Sequence, residues 1–477
     1  MTPDELADDL HDVAEALTNR MGTHRVDLDA LIEVPGVSAQ GFDPDEVRRS
    51  AEAVADLMRV RRLEGVRLLE VDDAHPAVYG ERLDAPEGSP TVLLYAHHDV
   101  QPPGPDEAWT SPPFSPTERD GRLYARGSAD DKGGILAVLA AVDAWLVARG
   151  QPPVGVKVFI EGEEEIGSTH LEAFLAEYAD LLAADVVVLC DAVNLAEGAP
   201  AVTTSLRGLV DADVTLRAAS HPLHSGMYGG IVPDPVGGLA KLLASLTDDR
   251  GEVAIAGFCD DVRSLDGEER ARLADLDITP TRLRADAGLL EGVPFAGDPA
   301  RPLLEKLWHR PSLAVIGIDA PARAGSSNTL QPEASARISV RLAPGQDHER
   351  ALDRLCGHLE AAAPFGLEVQ VTPGVASPGF LADPSHGSVR AARAALEAAY
   401  GTPAALAGVG GSIPFVDAIT RALGDDDAPA PALLTAVADP DARAHGIDES
   451  LGLADWHRAC LAHAYLLGAL ARQGSPR

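Results

Sequence analysis

Histidine and carboxylate side chains stand directly behind an apolar segment of this 477-residue sequence. His97, His98 and Asp99 follow the run TVLLYA (91–96), and two prolines shortly afterwards prevent a strand from continuing. Imidazole nitrogens and carboxylate oxygens bind metal ions, and a ligand set without thiolates suits zinc, manganese or cobalt. The end of a strand is also exposed and tolerates polar residues, so this segment alone does not distinguish a metal site from a solvated loop.

Four further segments bring carboxylates or a histidine to a similar position. The carboxyl ends of parallel strands meet at one edge of a sheet, and that edge forms the ligand crevice of open α/β sheets. So many carboxylates cannot share a crevice unless cations neutralise them, and the sequence therefore predicts a metal site. The residues concerned are Asp130 and Asp131 before the helical run 133–148, Glu161, Glu163, Glu164 and Glu165 after VKVFI (156–160), Asp191 after DVVVLC (185–190), and His445 after PALLTAV (431–437).

Some of these residues have a structural interpretation instead. Adjacent residues at the end of a strand point in different directions, so His98 is interpreted as a neighbour of the site. Asp131 is interpreted as a structural partner of Asp130. Glu161 and Glu163 can equally belong to a solvated turn, since glutamate is rarely buried.

The segments that carry these residues indicate the type of domain. Apolar, β-rich runs of strand length that alternate with helical segments such as 133–148 are typical of a mostly parallel sheet covered by helices. At the start of the chain, residues 2–5 predict a capped helix whose apolar face continues to Leu17. The spacing of apolar residues over 47–58 predicts a second helix.

Near residue 210 the pattern changes to alternating apolar and polar residues. Segments 210–218, 335–343 and 366–372 alternate as half-buried antiparallel strands do, and helical segments at 234–246 and 346–363 accompany them. This order predicts a split βαβ, ferredoxin-like domain that is inserted into the α/β domain. The predicted boundaries are 1–208 and 377–477 for the two parts of the α/β domain and 209–376 for the insertion.

Composition excludes several classes of function. The formal net charge of −35 at pH 7 would repel the phosphates of nucleic acid. The acidic first residues lack the apolar core of a signal peptide, and the longest apolar stretch is interrupted by Asp143 and is too short for a bilayer. The 4 scattered cysteines form no disulfide framework. We therefore expect a cytoplasmic protein with no nucleic-acid or membrane partner.

Four motifs, in the same order along the chain, resemble those of the co-catalytic metallopeptidases. This family includes carnosine dipeptidases, aminoacylases, succinyl-diaminopimelate desuccinylases and carboxypeptidase G. The segment HPLHSGMYGG (221–230) is most similar to the carnosinase and cytosolic nonspecific dipeptidase branch, whereas Ala96 stands where glycine is usual. The motifs are AHHDVQP (96–102), LYARGSADDKGG (123–134), EGEEEIGS (161–168) and AHGIDESL (444–451).

The resemblance implies two divalent metal ions per chain, with zinc as the first expectation and manganese or cobalt as alternatives. Asp130 would bridge the two ions. His97 and Asp191 would complete the ligands of one ion, and Glu165 and His445 would complete those of the other.

Catalytic roles are implied in the same way. Glu164, which is next to a ligand, would be the general base that takes a proton from a bridging water. Asp99 would accept the ring N–H of His97 and fix its tautomer. The resemblance also implies that the Asp130–Asp131 peptide bond is cis.

Substrate contacts are implied on the inserted domain and on a glycine-rich loop. Arg341 would bind a substrate carboxylate through two parallel hydrogen bonds, and His224 would stabilise the oxyanion from a partner subunit. Without the resemblance, these two residues would be interpreted as a surface charge and a loop histidine. The remaining implied contacts are Thr329, Gly410, Gly411 and Ser412.

The implied function is metal-dependent hydrolysis of dipeptides by a homodimer, with the insertion as a lid and dimerisation domain. Amide hydrolysis needs an acidified water and a polarised carbonyl, which paired metals supply, and a carboxylate that relays the proton. One alternative is an N-acyl amino acid deacylase that acts on acetyl or succinyl amino acids with the same metals. The other is a non-catalytic metal-binding protein, in which Glu164 would have no evident use.

Overall fold

The structure, a computed structural model, describes residues 2–276, 278–411, 413, 415–424 and 429–473. The chain divides into two units. The first comprises Met1–Thr204, Ala382–Ala407 and Phe415–Arg477, and the second comprises Ser205–Leu381 and Gly408–Pro414. The predicted limits of the insertion, 209 and 376, stay a prediction.

Helices and strands alternate through most of the described chain. The helices are α1 (Pro3–Asp9), α2 (His11–Ile32), α3 (Pro44–Val60), α4 (Lys132–Arg149), α5 (Leu171–Glu177), α6 (Ala179–Leu182), α7 (Ser225–Tyr228), α8 (Pro235–Ala244), α9 (Gly267–Ala274), α10 (Pro280–Asp286), α11 (Leu303–His309), α12 (His348–Ala361), α13 (Gly387–Tyr400), α14 (Phe415–Leu423) and α15 (Leu453–Ala471). The strands are β1 (Glu64–Leu69), β2 (Ala77–Arg82), β3 (Thr91–His97), β4 (Thr117–Arg119), β5 (Arg122–Tyr124), β6 (Gly155–Glu161), β7 (Val186–Val193), β8 (Ala201–Leu206), β9 (Gly208–Arg217), β10 (Leu223–His224), β11 (Ser312–Asp319), β12 (Thr329–Leu330), β13 (Glu333–Leu342), β14 (Glu368–Ser377), β15 (Phe380–Leu381), β16 (Ala405–Val409), β17 (Ala432–Ala438) and β18 (Ser450–Gly452).

The large sheet of the first unit has the strand order β1-β2-β6-β3-β7-β17-β8. Its central strands are parallel, since β3 pairs in parallel with β6 and β7, and β17 pairs in parallel with β7. Both faces of β3 and β6 are buried, as their continuous apolar sequences predict. The α/β class and the mainly parallel sheet are therefore confirmed.

Helix α4 begins two residues after the candidate ligand Asp130 and is buried along most of its length. Every residue from Lys132 to Leu146 is buried, because the helix packs against α2 and α15 as well as the sheet. Its sequence is accordingly apolar all round. Among the described residues, no helix is both long and apolar enough to cross a membrane.

The start of the chain is only partly as predicted. Thr2 caps α1, and Thr2 and Glu5 form the predicted capping box. The apolar face that continues to Leu17 nevertheless spans two helices, because α1 ends at Asp9 and α2 begins at His11.

The second unit contains an antiparallel sheet with the order β11-β13-β9-β14. Helices α8 and α12 pack against this sheet, and the chain order β9-α8-β11-β13-α12-β14 is that of a split βαβ fold. The edge strand β11 was not predicted. Its sequence, SLAVIGID, lacks the alternation of apolar and polar residues that identifies β9 and β13. In the structure, Val315, Ile316 and Ile318 of this strand are all exposed.

Two Gly→Ala substitutions should show opposite effects on stability, one from crowding in the core and one from higher helix propensity. In Gly134→Ala, the new methyl would lie 2.6 Å from the carbonyl oxygen of Cys190 and would overlap the carboxylate of Asp131, so the free energy of unfolding should fall by about 1–3 kcal/mol. Gly22→Ala in α2 meets nothing within 4 Å and should raise it by up to about 1 kcal/mol. Urea denaturation of both variants checks the prediction, which would be wrong if Gly134→Ala were as stable as Gly22→Ala.

Candidate metal centre

The predicted ligands lie at the carboxyl end of the parallel strands or directly after it. His97 is the last residue of β3, and Asp191 lies near the end of β7. Glu165 belongs to a short 3-10 helix after β6, and His445 follows β17 in a loop. Asp130 comes just before α4. The parallel order of these strands brings segments that are far apart in sequence to one edge of the sheet.

Two groups of three possible ligands share one carboxylate. The first group is His97, Asp130 and Asp191, the second is Asp130, Glu165 and His445, and the ligand atoms of each group lie within 4.8 Å of one another. His97 Nε2 lies 3.0 Å from Asp130 Oδ1, and His445 Nε2 lies 3.0 Å from Asp130 Oδ2. Asp130 therefore faces a different histidine with each oxygen, as a bridging carboxylate would.

The pKa shifts at the site indicate that the protein groups alone do not neutralise its negative charge. Burial, together with repulsion from Glu165 and Asp130, raises the pKa of Glu164 to about 8. Burial, followed by repulsion from Glu164, raises the pKa of Asp191 well above its ordinary value. Hydrogen bonds with Asp130 and Glu165 raise the pKa of His445 to about 10. Two divalent cations would stabilise the ionised carboxylates and the neutral imidazoles, so this set of N and O donors fits such ions.

Asp99 connects the ligand on β3 with the segment that carries Glu164 and Glu165. His97 Nδ1 lies 3.1 Å from the backbone oxygen of Asp99 and 3.3 Å from its Oδ1. The Asp99 carboxylate accepts hydrogen bonds from the backbone N–H groups of Glu164 at 3.2 Å and Glu165 at 3.1 Å. The hydroxyl of Ser38 also donates to it, at 2.6 Å. This fully buried carboxylate thus fixes both the ring of His97 and the start of the 3-10 helix.

Two neighbours of the ligands have structural contacts. The Asp130–Asp131 peptide bond is cis, as the resemblance implied. The carboxylate of Asp131 accepts the backbone N–H of His97 at 3.3 Å. His98 is fully buried, and its Nε2 lies 2.9 Å from the carbonyl oxygen of Pro76.

The interpretation of Glu161 and Glu163 as a solvated turn is wrong. Both are buried, with exposed fractions of 1% and 2%. The hydroxyl of Tyr95 donates to Glu161 at 2.7 Å, and the backbone N–H of His75 donates to Glu163 at 2.9 Å. The backbone N–H of the nearby His170 also donates to Glu163, at 3.2 Å. Tyr95 and His75 come from distant segments, so the local sequence did not indicate these contacts.

Sequence reasoning also missed groups that contact the ligands. Gln101 donates to Glu165 from its backbone N–H at 3.1 Å and from its side-chain amide at 2.9 Å. Glu449 accepts the backbone N–H of Asp130 at 3.1 Å. Gln101 and Glu449 lie inside two of the recognised motifs, which is a signal for both. Ser38 lies outside every motif.

In the second unit, two of the predicted substrate contacts are direct neighbours. His224 and Thr329 are paired in register between β10 and β12. His224 is exposed, and its Nδ1 accepts the backbone N–H of Gly226 at 3.1 Å, so it caps α7. Arg341 lies on β13 opposite Ser312 of β11.

The predicted glycine loop is attached to an arginine that the sequence did not indicate. Arg207 donates to the carbonyl oxygen of Gly411 from its backbone N–H at 3.1 Å and to that of Gly410 from its Nε at 2.8 Å. The same guanidinium donates to the hydroxyl of Ser312 at 2.8 Å. Ser412 lies outside the described residues.

Comparisons with known proteins find relatives that are similar over nearly the whole chain. The chain is 32% identical over 427 residues to the cysteinylglycine-S-conjugate dipeptidase of Corynebacterium striatum, and the match covers 89% of this chain and 90% of that protein. The structure is similar to that of the dipeptidase Dug1p from Saccharomyces cerevisiae, with a TM-score of 0.80, 25% identity and coverage of 98% and 99% of the two chains. It is also similar to human carnosine dipeptidase 1, with a TM-score of 0.79, 25% identity and coverage of 97% and 99%.

The family match covers most of the chain and all of the ligand segments described above. It extends over residues 93–469 and is to the peptidase family M20/M25/M40. This protein therefore belongs to peptidase family M20/M25/M40 and is a metallopeptidase.

Proposed function

We propose that this protein is a dipeptidase that hydrolyses the amide bond of dipeptides with the help of two divalent metal ions. The observation that carries the proposal is the pair of three-residue ligand groups that share Asp130, with Glu164 next to them. Relatives that are similar over nearly the whole chain are named as dipeptidases, which supports this substrate class.

The proposed ligand assignment follows the two groups of the site. Asp130 would bridge the ions, His97 and Asp191 would hold one of them, and Glu165 and His445 would hold the other. Zinc is the first candidate because it accepts imidazole and carboxylate ligands in low coordination numbers, and manganese and cobalt are alternatives.

The proposed mechanism assigns the proton transfers to Glu164. When bound, the two ions would lower the pKa of a water molecule and polarise the substrate carbonyl. Glu164 would accept the proton of the attacking water and donate it to the leaving amine. The backbone N–H of Glu164 is bonded to the carboxylate of Asp99, which also fixes His97, so the base and the ligand have a common support.

We further propose a homodimer that forms through the second unit. The edge strand β11 has unpaired backbone groups on one side and exposes Val315, Ile316 and Ile318. An exposed apolar edge of this kind is suited to pairing with its symmetric copy. In such a dimer, the second unit would act as the lid, with Arg341, Thr329, Gly411 and Ser412 as substrate contacts and His224 as an oxyanion stabiliser for the partner subunit. A cytoplasmic location stays a prediction.

Metal content should follow the shared ligand. After dialysis against Zn²⁺ or Mn²⁺, elemental analysis of the wild-type protein should find two divalent ions per chain. Asp130→Ala should lose affinity for both, because Asp130 belongs to both ligand groups. His358→Ala is the control, since this histidine of the second unit contacts Ser245 and belongs to neither ligand group. Wild-type protein without bound metal, or Asp130→Ala with two ions, would contradict the assignment.

Turnover should depend on Glu164 without a change in metal content. Glu164→Gln should keep both ions and the fold, while kcat for dipeptides falls by about 10²–10⁴-fold, because the amide cannot accept the proton. The control Glu172→Gln makes the same change at an exposed position of α5 and should leave kcat unchanged. Normal turnover by Glu164→Gln would show that the base is misassigned.

The same assay should identify the substrate class. The wild-type protein should hydrolyse dipeptides of the Ala-Ala type faster than N-acetyl or N-succinyl amino acids. The reverse preference would replace the dipeptidase proposal with a deacylase and leave the metal assignment intact.

The shared site can be tested by mixing two inactive proteins. If His224 serves the partner subunit, Glu164→Ala and His224→Ala chains that exchange subunits should form dimers with one intact site each. Activity should then be higher in the mixture than in either variant alone. Each variant alone lacks either the base or the oxyanion stabiliser, and loss of the stabiliser costs about 10²–10³-fold. Continued inactivity after exchange has been demonstrated by mass spectrometry would exclude the shared site.

A further inference from the structure

A buried ion pair lies beside the metal centre and has no role in the mechanism proposed above. Arg126 Nη1 donates to Glu449 Oε2 at 2.6 Å, and the exposed fractions of the two residues are 1% and 0%. The two residues are 323 positions apart in the sequence. Burying two charges is costly unless their remaining hydrogen-bonding capacity is satisfied, so the other partners of this pair indicate its purpose.

The Glu449 carboxylate binds the backbone of the segment that leads to the shared ligand. Oε2 also accepts the N–H of Gly127 at 2.9 Å. Oε1 accepts the N–H groups of Ala129 at 2.9 Å and Asp130 at 3.1 Å. Three backbone donors from four consecutive residues thus converge on one carboxylate, and the last of them belongs to Asp130 itself.

Arg126 connects this segment to two other segments that carry ligands. Its Nη2 donates to the carbonyl oxygen of Gly446 at 3.2 Å, one residue after His445. The same nitrogen lies 3.4 Å from the carbonyl oxygen of Pro102, in the segment that begins with His97. The pair therefore joins the three segments at backbone positions close to their ligands.

The loop that carries His445 needs such support. His445 has a φ of 64°, and Arg443 and Asp448 have φ values of 55° and 58°, so three non-glycine residues within six positions are in the left-handed region. This conformation is unfavourable for residues with a side chain and persists only where the surroundings impose it. The contacts of the Arg126–Glu449 pair at Gly446 and at Glu449 lie within this loop and next to its end.

We propose that the Arg126–Glu449 pair is a positioning unit that sets the geometry, and hence the metal affinity, of the group formed by Asp130, Glu165 and His445. This inference rests on the ligand assignment of the proposed function and holds for any substrate. The pair acts through backbone contacts to the Asp130 segment and the His445 loop. Such supporting contacts around metal ligands are worth about 10–100-fold in affinity.

Position 449 requires a carboxylate because four hydrogen-bond donors converge on this side chain. A glutamine at position 449 has one oxygen and one NH₂ group, and the NH₂ would face either the Ala129 and Asp130 N–H groups or the Gly127 N–H and Arg126. Glu449→Gln therefore loses at least two of the four hydrogen bonds while the side chain keeps its size. Arg126→Gln loses the contacts to Glu449 and Gly446.

The two variants change the local charge in opposite directions, which separates positioning from electrostatics. Glu449→Gln removes a negative charge, so electrostatics alone would weaken the binding of cations. Arg126→Gln removes a positive charge, so electrostatics alone would strengthen it. Positioning predicts weaker binding in both.

The test is calorimetric titration of metal-depleted protein with Mn²⁺. We expect two binding steps in the wild-type protein, one of which is weakened by about 10–100-fold in both Glu449→Gln and Arg126→Gln. The control is Asp455→Asn, because Asp455 is also a fully buried carboxylate that accepts a backbone N–H, from Gly198, and an arginine, Arg458, and neither of these partners is a candidate ligand or adjacent to one. This control should lose stability to urea and keep both binding steps.

The remaining outcomes of the titration would reject either the positioning role of the pair or the metal centre itself. Arg126→Gln with unchanged or tighter Mn²⁺ binding would reject positioning, and so would an equal loss of affinity in Asp455→Asn. Wild-type protein that binds neither Mn²⁺ nor, in a parallel titration, Zn²⁺ would reject the proposed metal centre instead. If both charge variants fail to fold, the deciding variant is Arg126→Lys, which keeps the charge and loses the planar fork. Unchanged Mn²⁺ affinity in Arg126→Lys, or its failure to fold, also rejects the proposal.

Discussion

The structure of the site depends on one carboxylate that must face two histidines at once. Asp130 offers one oxygen to His97 and the other to His445, at 3.0 Å each. The histidines belong to segments that are far apart in the sequence, so the position of Asp130 is fixed only if both segments and the start of α4 are fixed. Burial, followed by repulsion from neighbouring carboxylates, raises the pKa values of Glu164 and Asp191.

The fold meets this requirement with buried structure directly behind the ligands. The parallel strands β3 and β7 end at the site, and α4 is buried along nearly its whole length beneath it. The fully buried ammonium of Lys132 donates to the carbonyl oxygens of Leu31 and Val34, at the end of α2 and just beyond it, at 2.9 and 2.6 Å. Rigid elements of this kind hold ligand geometry better than loops do. The loop with His445 is the exception, and its backbone is held by buried partners instead.

The two units have different types of surface. In the first unit, the candidate ligands lie at or after the carboxyl ends of buried parallel strands, where divalent ions would neutralise their charge. The second has an antiparallel sheet with an exposed edge strand, and His224 and Thr329 are paired on a small ladder of their own. Arg207 donates hydrogen bonds both to Gly410 and to Ser312 of β11. It thereby joins the glycine loop to a strand that is distant from it in the sequence. Under the proposed function, the metal ligands belong to the first unit and the proposed substrate contacts Arg341, Thr329 and Gly411 belong to the second.

The sequence by itself determined most of the elements around the site and the types of residue at their ends. The strands over 91–97 and 155–161, the helix over 132–149 and the alternating strands of the second unit were predictable, because apolar periodicity and β-branched content act within a few residues. The motifs indicated the family and named His97, Asp130, Glu165, Asp191 and His445, which the structure brings together.

Only the tertiary structure decided which other polar groups are buried and what they contact. The alternative of a solvated turn for Glu161 and Glu163 fails because Tyr95 and His75, from other segments, donate to these buried carboxylates. Ser38 reaches Asp99 across 61 positions and Arg126 reaches Glu449 across 323, distances over which local propensity carries no information. A hydrogen bond between distant segments depends on the path of the whole chain, so its partners can be identified only when that path is known.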